Sequence, residues 1–549
     1  MNLIEQIKQA FQANLQKLFE LDKKAAAAFN FDLNIDPTKQ QFGDINSNAA
    51  MILAKQLKQN PREIAQKITE SFEHKHVEKL EVAGPGFLNL YLKPEAFQVL
   101  MAQLLEQKET FFKLPESTPK QNFNIEFVSA NPTGPLHLGH GRGGILGDVL
   151  ANILQFVGHQ ATREYYINDA GAQIKKLAKS FKVRCEQATG KNTPMPEDGY
   201  QGEYLAELAK KIIAEKDPKI IEEPEDFFGQ YAKEKMLKQL AKTLSEYGIT
   251  FDVWFSEKKL HTSGAIDAAF KILDKRGFLY EKDDALWFKS TEFGDDKDRV
   301  VKKSSGDLTY VASDIAYMEN KVERGFDHLI MVLGHDHHSY AVRLEGLRQA
   351  LGIKAPLDVI LYQLVKMKAS GELVRMSKRA GNIVTLEDVI KTVGKDVARF
   401  FYLNRKADAQ LEFDLDLALK KTDENPVYYV QYAYVRIGSI LEKAQAEKKL
   451  QNINEDGTKY LGKSEQGLIK KMVSLKQLLE NISKNYQTHL LTYYLLELAN
   501  AFHSYYSKNR VIVIEKPEQS RARLLLMTQL QKIFSVCLDL LGISKPKKM

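Results

Sequence analysis

The sequence predicts a multidomain α/β protein that ends in an all-α region. A strand, a loop, a helix and a second strand follow one another over residues 124–167, and strand-like and helical segments alternate again between 285 and 361. Such alternation is typical of a parallel sheet. Residues 174–285 carry helical charge patterns, and the periodicity after residue 385 is helical. We therefore expect a Rossmann-like core with a helical insertion, a small α/β domain before it and a helical bundle after it.

The first βαβ unit has clear boundaries in the sequence. Residues 124–128 are rich in apolar side chains, as expected for a core strand. The prolines and glycines of Pro132–Gly139 exclude regular structure until about Leu138. Apolar residues then recur at helical spacing as far as Val157, and a strand-like run follows at Ala161–Ile167. The loop therefore lies at the carboxyl end of a core strand, where α/β proteins bind ligands.

This loop ends on two histidines at a helix start. His137 and His140 are three residues apart, so both rings can project from one side of the first turn. Backbone N–H groups there lack helical partners, and the helix dipole favours anions. Gly139 has no Cβ, so a ligand can approach the backbone closely. The pattern indicates a nucleotide-phosphate site, and the alternative is an ordinary βα turn with surface histidines.

Apolar strand-like runs and helical segments predict the second half of the core. The strand-like runs are Ala285–Phe288, Leu308–Ala312, Leu329–Leu333 and Asp358–Leu361. Helices at about Ser313–Arg324 and Ser339–Leu351 separate the last three runs. We expect these elements to restore the α/β alternation and hence the parallel sheet.

These features divide the chain into six regions. They are a small α/β domain at 1–112, the first half of the core at 113–173, a mainly helical insertion at 174–285, the second half of the core at 286–365, a region with a basic loop at 366–420, and a helical domain at 421–549. A chain of 549 residues is too long for one core and suggests roughly three or four folding units, so this division is compatible with its length.

Composition excludes several classes of protein. The sequence contains no run of eighteen apolar residues, so it predicts no membrane span. The N-terminal residues predict an amphipathic helix rather than a signal peptide. Cys185 and Cys537 are the only cysteines, which argues against a disulfide framework and a cysteine-based zinc site and favours the cytoplasm. Residues 421–549 hold 20 Lys and Arg against 12 Asp and Glu. A polyanionic partner would explain this excess, although a basic helical domain without such a partner would also do so.

A second basic signal lies in a glycine-flanked loop. Arg375, Lys378 and Arg379 place three cations between Gly371 and Gly381. Such a loop can close over a nucleotide and stabilise negative charge in a transition state. The alternative is an exposed basic loop without function. The upstream histidine pair argues against this alternative.

A third cluster, Gly334-His335-Asp336-His337-His338, directly follows a predicted strand. Its histidines could suggest a metal, but consecutive residues cannot all converge on one ion. Gly334 allows close approach of a ligand, and Asp336 can accept a hydrogen bond from a ribose hydroxyl. We therefore expect a nucleoside contact rather than a metal site.

Two carboxylates occupy unusual positions. Glu126 lies inside an otherwise apolar strand, and Asp314 opens a predicted helix. A buried carboxylate requires a partner, since an unpaired buried charge is costly. The partner could be internal, for example Arg142 or Arg163, or it could be a cationic substrate.

Together these motifs resemble the class I aminoacyl-tRNA synthetases, and specifically the arginyl-tRNA synthetase family. The HIGH-type signature is similar to His137-Leu138-Gly139-His140, and the KMSKS-type signature to Arg375–Arg379. The lead-in from Glu126 to Pro135 resembles the arginine-specific pattern, as do Asn168–Gln173 and Asn425–Tyr434. The extended signature motif comprises Ala130, Asn131, Pro132, Thr133, Gly134, Pro135, Leu136, His137, Leu138, Gly139 and His140.

The resemblance implies roles for individual residues. The implied catalytic residues are His137, His140 and Lys378. The implied ATP-binding residues are His137, Gly139, His140, Gly334, Asp336, Met376, Ser377 and Lys378. The implied arginine-binding residues are Glu126, Ser129, Asn131, Tyr310 and Asp314. ATP would carry Mg²⁺ as part of the substrate, with no metal held by protein side chains and no structural zinc.

The resemblance also implies the partners. The helical C-terminal domain would bind the anticodon of tRNA(Arg), with Tyr428, Tyr432 and Arg436 as candidate contacts, and the N-terminal domain would also touch the tRNA. We expect a cytoplasmic monomer that joins arginine to tRNA at the expense of ATP. A nucleotidyltransferase and a tRNA-binding paralogue without catalysis are the alternatives. The basic C-terminal region argues against the first, and the intact histidine pair and Lys378 argue against the second.

Overall fold

The computed structural model describes residues 1–216, 218–373, 384–447, 450 and 455–549. The N-terminal part combines four helices with a four-stranded antiparallel sheet in the order β1-β2-β4-β3. Its helices are α1 (Leu3–Phe19), α2 (Ala49–Leu57), α3 (Pro61–Ser71) and α4 (Pro94–Gln107). Its strands are β1 (Phe31–Leu33), β2 (Ile45–Ser47), β3 (Val77–Ala83) and β4 (Phe87–Leu92).

The rest of the described chain forms three further sheets and the remaining helices. The strands are β5 (Asn122–Phe127), β6 (Gln160–Ile167), β7 (Val253–Ser256), β8 (Leu279–Lys282), β9 (Ala285–Phe288), β10 (Arg299–Lys302), β11 (His328–Gly334), β12 (Leu357–Tyr362), β13 (Val365–Ala369), β14 (Glu372–Leu373) and β15 (Leu411–Asp414). The helices are α5 (Leu138–Val157), α6 (Ala172–Ala188), α7 (Glu203–Glu215), α8 (Glu225–Glu246), α9 (Glu257–Thr262), α10 (Ala265–Lys275), α11 (Tyr310–Glu323), α12 (His338–Leu351), α13 (Leu386–Val393), α14 (Lys395–Leu403), α15 (Leu415–Ala418), α16 (Pro426–Gln445), α17 (Lys463–Asn485), α18 (His489–Lys508) and α19 (Pro517–Leu541).

The central sheet is parallel and has the order β12-β11-β5-β6-β7. The chain starts in the middle at β5, moves outward to β6 and β7, and then returns to the other side of β5 with β11 and β12. The order therefore reverses between β5 and β11, and loops at the carboxyl ends of these two strands enclose a crevice. This architecture confirms the predicted multidomain fold with a Rossmann-like parallel-sheet core.

Helix α5 packs very closely on the sheet, and a glycine makes this approach possible. A Cβ atom at Gly147 would lie 2.3 Å from Cγ of Phe127 at the end of β5. No side chain fits there, so the helix backbone rests directly on the ring. The predicted βαβ unit is confirmed, and α5 ends at Val157 before the left-handed Gly158.

Two of the predicted core strands are wrong. Ala285–Phe288 is a strand, but it pairs antiparallel with β8 and β10 in a separate three-stranded sheet. Asp283 and Asp284 both have positive φ in the tight turn between β8 and β9, and this turn chemistry makes the run half of a hairpin. Residues 308–312 do not form a strand: apart from an isolated bridge at Leu308, the segment enters α11, since a short apolar run fits a buried helix equally well.

The fifth strand of the parallel sheet comes from the predicted insertion. β7 pairs with β6 at the sheet edge, although the surrounding residues 174–285 are mainly helical, as predicted. A further strand interrupts the predicted helical region after residue 385, because β15 pairs parallel with β13. Short strands of four residues carry too little periodicity to stand out in sequence.

The C-terminal part is a helical bundle from α16 to α19. Helix α19 has 25 residues and is the one described helix that is long and apolar enough to cross a membrane, but 72% of its apolar window is buried inside the protein. A buried apolar helix of this kind is the core of a bundle. Arg399 of α14 is fully buried and joins the bundle to helix α5 of the parallel-sheet core. It donates to the carbonyl of Leu541 and pairs with Asp148 of α5 at 2.6 Å.

Candidate functional site

The predicted site residues that the structure describes, other than those of the C-terminal domain, lie at or beside the carboxyl edge of the parallel sheet. The loop after β5 holds the histidine motif, the loop after β11 holds Gly334 and Asp336, and α11 carries Tyr310 and Asp314. Since all five strands are parallel, their carboxyl ends share one edge. The site therefore spans the point where the strand order reverses.

The two histidines cap α5 and stack on each other. The N–H of Gly139 donates to Nδ1 of His137 at 3.1 Å, and the N–H of His137 donates to Nδ1 of His140 at 3.2 Å. The ring centroids are 3.7 Å apart with an interplanar angle of 27°. Because each Nδ1 accepts a hydrogen bond from a backbone N–H, each neutral ring carries its proton on Nε2. Both rings are thus held as donors at the positive end of a helix dipole.

A second segment supports this turn from behind. The N–H of Leu138 donates to the carbonyl of Val384 at 3.1 Å, and the N–H of Leu386 donates to the carbonyl of Leu136 at 2.9 Å. The buried hydroxyl of Tyr402 in α14 donates to the carbonyl of Leu138 at 3.0 Å. The histidine turn is therefore fixed on both sides by backbone and side-chain hydrogen bonds.

The loop after β11 is open to solvent. His335, Asp336 and His337 form a short 3-10 helix, and all three are exposed. A Cβ at Gly334 would lie 2.5 Å from the exposed Asp336 carboxylate, so a side chain at this position would displace that carboxylate. Within the residues that the structure describes, no three His, Cys, Asp or Glu side chains are arranged to hold a metal ion.

Glu126 is buried in an internal ion pair, but not with either predicted partner. Its Oε2 lies 2.6 Å from Nζ of Lys321, and the side chains are 6% and 3% exposed. Arg142 instead donates to the carbonyls of Gln363, Lys406 and Ala409, and burial lowers the pKa of its guanidinium to about 10.

Arg163, the other suggested partner of Glu126, pairs with Asp148 at 3.2 Å. Arg163 of β6 is paired with Ile125 of β5, and successive side chains of a strand point to opposite faces of the sheet. Arg163 therefore reaches α5, on the face opposite to Glu126.

The backbone after β5 is strained. Val128 and Ser129 have φ of 66° and 39°, in the left-handed region that β-branched residues rarely adopt. This turn brings the Ser129 hydroxyl back onto Glu126, where it donates to Oε1 at 3.1 Å and accepts from the N–H of Tyr166 at 3.0 Å. Such strain is typical of functional sites, and sequence reasoning did not detect it.

Beside this turn lies a small cavity with a polar and an apolar side. Glu126, Tyr166, Asp314, Lys321 and Tyr340 provide the polar groups, and methionine and leucine side chains of α11, β11, α12 and β12 form much of the remaining wall. Tyr340 donates to Oδ1 of Asp314 at 2.7 Å. Burial raises the pKa of Asp314 to about 7, although the hydrogen bond from Tyr340 acts in the opposite direction.

Two other predicted residues are more exposed. The side chain of Tyr310 is 55% exposed at the first turn of α11, one turn before Asp314, and Asn131 is exposed in the loop after β5. The structure therefore brings Glu126 and Asp314 to one cavity, holds Ser129 against Glu126, and leaves Tyr310 and Asn131 at the surface.

Glu257 was missed by the sequence analysis. It begins α9 directly after β7, is buried, and its Oε2 has no hydrogen-bond partner within the described part of the chain. Burial raises the pKa of this carboxyl, and the negative charge of Glu257 in turn raises that of Asp314. In sequence, Glu257 is one of many acids in a charged insertion, and nothing local distinguishes it.

The remaining predicted contacts are of two kinds. Met376, Ser377 and Lys378, with Arg375 and Arg379, lie outside the described residues.

In α16, Tyr428, Tyr432 and Arg436 are half-buried on one helix face, where the guanidinium of Arg436 lies 4.8 Å from the centroid of the Tyr432 ring. Part of the basic excess of this region is internal, because Lys470, Lys471 and Lys476 are buried in ion pairs.

Comparisons with known proteins agree with this geometry. Residues 100–410 match the model of the class I (R) tRNA synthetase catalytic domain, residues 5–92 that of the arginyl tRNA synthetase N-terminal domain, and residues 430–549 that of the DALR anticodon-binding domain. The chain is 41% identical to the arginine–tRNA ligase of Bacillus licheniformis over the full length of both. The chain belongs to the arginyl-tRNA synthetase family.

Further relatives support this assignment. The arginine–tRNA ligase of Bacillus subtilis is 42% identical over 93% of each chain. The arginyl-tRNA synthetase structure from Thermus thermophilus has the same fold, with a TM-score of 0.76 over the full length of both chains at 20% identity. This member of the family is thus an ATP-dependent aminoacyl-tRNA ligase, specific for arginine.

Proposed function

We propose that the loop after β5 divides the reaction between its two ends, with ATP at the histidine end and arginine at the Glu126 end. In the first step, a carboxylate oxygen of arginine attacks the α-phosphorus of ATP, and the bond to pyrophosphate breaks. The product is arginyl-adenylate. A hydroxyl of the 3′-terminal ribose of tRNA(Arg) then attacks the arginyl carbonyl, and AMP leaves.

His137 and His140 act on the ATP phosphates. Two rings that donate from Nε2 at the start of α5, with the helix dipole behind them, favour the charge that develops on the α-phosphate. Gly139 lets the nucleotide approach the backbone, while Gly334 and Asp336 contact the ribose.

Met376, Ser377 and Lys378 stabilise the departing pyrophosphate, and Lys378 carries the catalytic charge. Mg²⁺ enters with ATP and is held by its phosphates, so it requires no site of its own among the protein side chains.

The arginine side chain binds at Asp314. Its planar guanidinium offers a fork of donors that suits carboxylates. Asp314 is half-buried and Glu257 is buried, and burial raises the pKa of both carboxyls. The negative charge of Glu257 raises the pKa of Asp314 further. In the described chain Asp314 forms no salt bridge, and Glu257 faces only His261 at 3.7 Å. A guanidinium between them would relieve this unfavourable burial. Lysine has one compact ammonium and would leave acceptors unpaired, which provides discrimination without editing.

The α-ammonium and carboxylate of arginine bind near Glu126, Ser129 and Asn131. The carboxylate must reach the α-phosphate at the histidine end, and the α-ammonium is attached to the adjacent carbon. Tyr310 is exposed one turn before Asp314 on the same helix, and it covers the substrate.

The tRNA binds across the N-terminal and C-terminal domains. Tyr428 and Tyr432 offer aromatic faces for unstacked bases, and Arg436 adds a cation on the same helix face. We assign the anticodon to residues 421–549, and the reaction to residues 113–365 together with the basic loop of region 366–420. We expect the enzyme to act as a cytoplasmic monomer.

The observation that carries this proposal is the position of Asp314, a half-buried carboxylate that lines the same cavity as Glu126. We expect His140→Ala to lower kcat of arginine-dependent pyrophosphate exchange about 100-fold with little change in KM for arginine, since it removes a transition-state donor. Asp314→Asn should raise KM for arginine at least about 100-fold, since it removes a charge partner of the guanidinium, and leave KM for ATP within about two-fold. If both variants changed the same constants, the division of the loop would be wrong.

A further inference from the structure

Lys321 is a buried cation in the wall of the arginine cavity. It projects from α11, two turns after Asp314, and its ammonium lies 2.6 Å from Oε2 of Glu126 and 4.4 Å from the ring centroid of Tyr317. Lys321, Glu126 and Asp314 all line the cavity. The site thus has its own cation, placed beside one carboxylate and not bonded to the other.

Both oxygens of Glu126 are held by named donors. Lys321 donates to Oε2, and Ser129 donates to Oε1 at 3.1 Å. Ser129 in turn accepts from the N–H of Tyr166, which fixes its hydroxyl. Each carboxylate oxygen can accept a second hydrogen bond, so the plane of Glu126 is fixed while it still has capacity for a ligand donor.

Arg324, the residue that caps the C-terminal end of α11, forms a comparable pair that does not face the cavity. Its guanidinium contacts Glu164 of β6 through two hydrogen bonds, of 2.5 and 2.9 Å, and Tyr317 also donates to Glu164. Neither Arg324 nor Glu164 lines the cavity. The same helix therefore carries two cation–carboxylate pairs with the sheet, and only one of them faces the substrate.

Burial decides what the Lys321 pair does. A carboxylate in this environment without a cation would be strongly disfavoured, and it would reorient or become protonated. Glu126 could then no longer offer two oriented lone pairs. Its orientation depends on Lys321 more than on Ser129, because a hydroxyl contributes no charge.

We infer that Lys321 is a positioning residue that orients Glu126 as the acceptor for the α-ammonium of arginine, while Asp314 receives the guanidinium. This inference rests on the proposed function, because it assumes that arginine occupies this cavity. The two cationic groups of arginine then bind different carboxylates. The α-ammonium binds Glu126, whose charge Lys321 already balances, and the guanidinium binds Asp314, which has no such internal partner.

Direct binding to the full-length enzyme tests this inference. The ligands are arginine and 5-guanidinopentanoate, an arginine analogue without the α-ammonium, and calorimetry gives the Kd of each. We expect Lys321→Met to weaken arginine about ten-fold and the analogue less than about two-fold, because only arginine uses Glu126. Lys321→Arg should restore arginine binding to within about three-fold, since it retains the charge.

Arg324→Met is the matched control, because it breaks the neighbouring pair on the same helix. It should lower the melting temperature as Lys321→Met does, yet change the Kd for arginine less than about two-fold. Equal weakening of arginine and analogue in Lys321→Met would overturn the inference. An effect of Arg324→Met on arginine as large as that of Lys321→Met would also overturn it, because the role would then be structural.

A double variant keeps the test decisive if Lys321→Met does not fold. Glu126→Gln/Lys321→Met removes both charges and leaves no unpaired ion in the core. It should fold and bind arginine no more tightly than the analogue, and retained preference for arginine would refute the role of Glu126.

The assignment of ATP to the histidine end of the loop is tested by a separate experiment. Unchanged pyrophosphate-exchange kinetics in His140→Ala would refute that assignment, and this result would leave the calorimetric test of Lys321 unaffected.

Discussion

Arginine binding should weaken as the pH falls below about 7, because Asp314 must be ionised to receive the guanidinium. Burial raises the pKa of this carboxyl to about 7, and the nearby negative charges of Glu257 and Glu126 act in the same direction. Tyr340 and Arg343 act against them but do not outweigh burial. A carboxyl with a raised pKa is neutral below that pKa and charged above it, so the loss occurs on the acid side.

The magnitude follows from the ionised fraction. With a pKa of about 7, about half of Asp314 is ionised at pH 7 and about a tenth at pH 6. The apparent KM for arginine should therefore rise about five-fold from pH 7 to pH 6, approach a ten-fold rise per pH unit below pH 6, and become almost constant above pH 8. An ordinary aspartate, with a pKa near 4, would give no change in this range.

Steady-state pyrophosphate exchange between pH 5.5 and 8.5, at saturating ATP and tRNA, measures this dependence. Asp314→Asn should raise KM at every pH and abolish the slope, since the asparagine does not titrate. Glu323→Gln, at an exposed carboxyl of the same helix, is the control and should retain the slope of the wild type. A KM for arginine that is constant from pH 6 to 8, or an equal slope in Asp314→Asn, would refute the reasoning.

Other variants test the remaining parts of the account. Lys378→Ala should slow adenylate formation at least about 100-fold in single-turnover experiments and leave tRNA affinity in filter binding almost unchanged, because its charge acts on pyrophosphate; an unchanged chemical rate would exclude that role. Tyr432→Ala and Arg436→Ala should each weaken tRNA binding about ten-fold, and Arg436→Ala should also reduce the salt dependence of the affinity; a wild-type affinity in both would place the anticodon elsewhere. Arg399→Met should lower the unfolding free energy, measured with denaturant, by about 3–5 kcal/mol, because it leaves Asp148 with a buried charge that Arg163 alone must balance; a loss below about 1 kcal/mol would show that the pair is dispensable.

The sequence predicted the first βαβ unit almost to the residue. Prolines and glycines mark its loop, and long apolar repeats mark α5, so local signals agree with the final fold there. The histidine cap could likewise be predicted, because the three-residue spacing and the helix start are both local. Met376, Ser377 and Lys378 remain predictions from sequence.

What sequence could not provide depended on distant contacts. The partner of Glu126 is 195 residues away in Lys321, and no local pattern connects a lysine on α11 with an acid on β5. Glu257 is functional in our proposal only because β7 joins the sheet edge, which four residues of strand did not reveal. The strand predicted at 285–288 was misplaced for the opposite reason, since a local turn at Asp283 and Asp284 decided its pairing.

The central claim is that ATP binds at the histidine end of the loop after β5, while arginine binds in the adjoining cavity, where Asp314 selects its guanidinium. Pyrophosphate exchange with each of the twenty amino acids, in the presence and absence of tRNA(Arg), tests this most directly. The account predicts exchange with arginine alone, and no exchange above background with lysine or glutamine, whose side chains lack a guanidinium fork for Asp314. Exchange supported by lysine or glutamine as well as by arginine would contradict it.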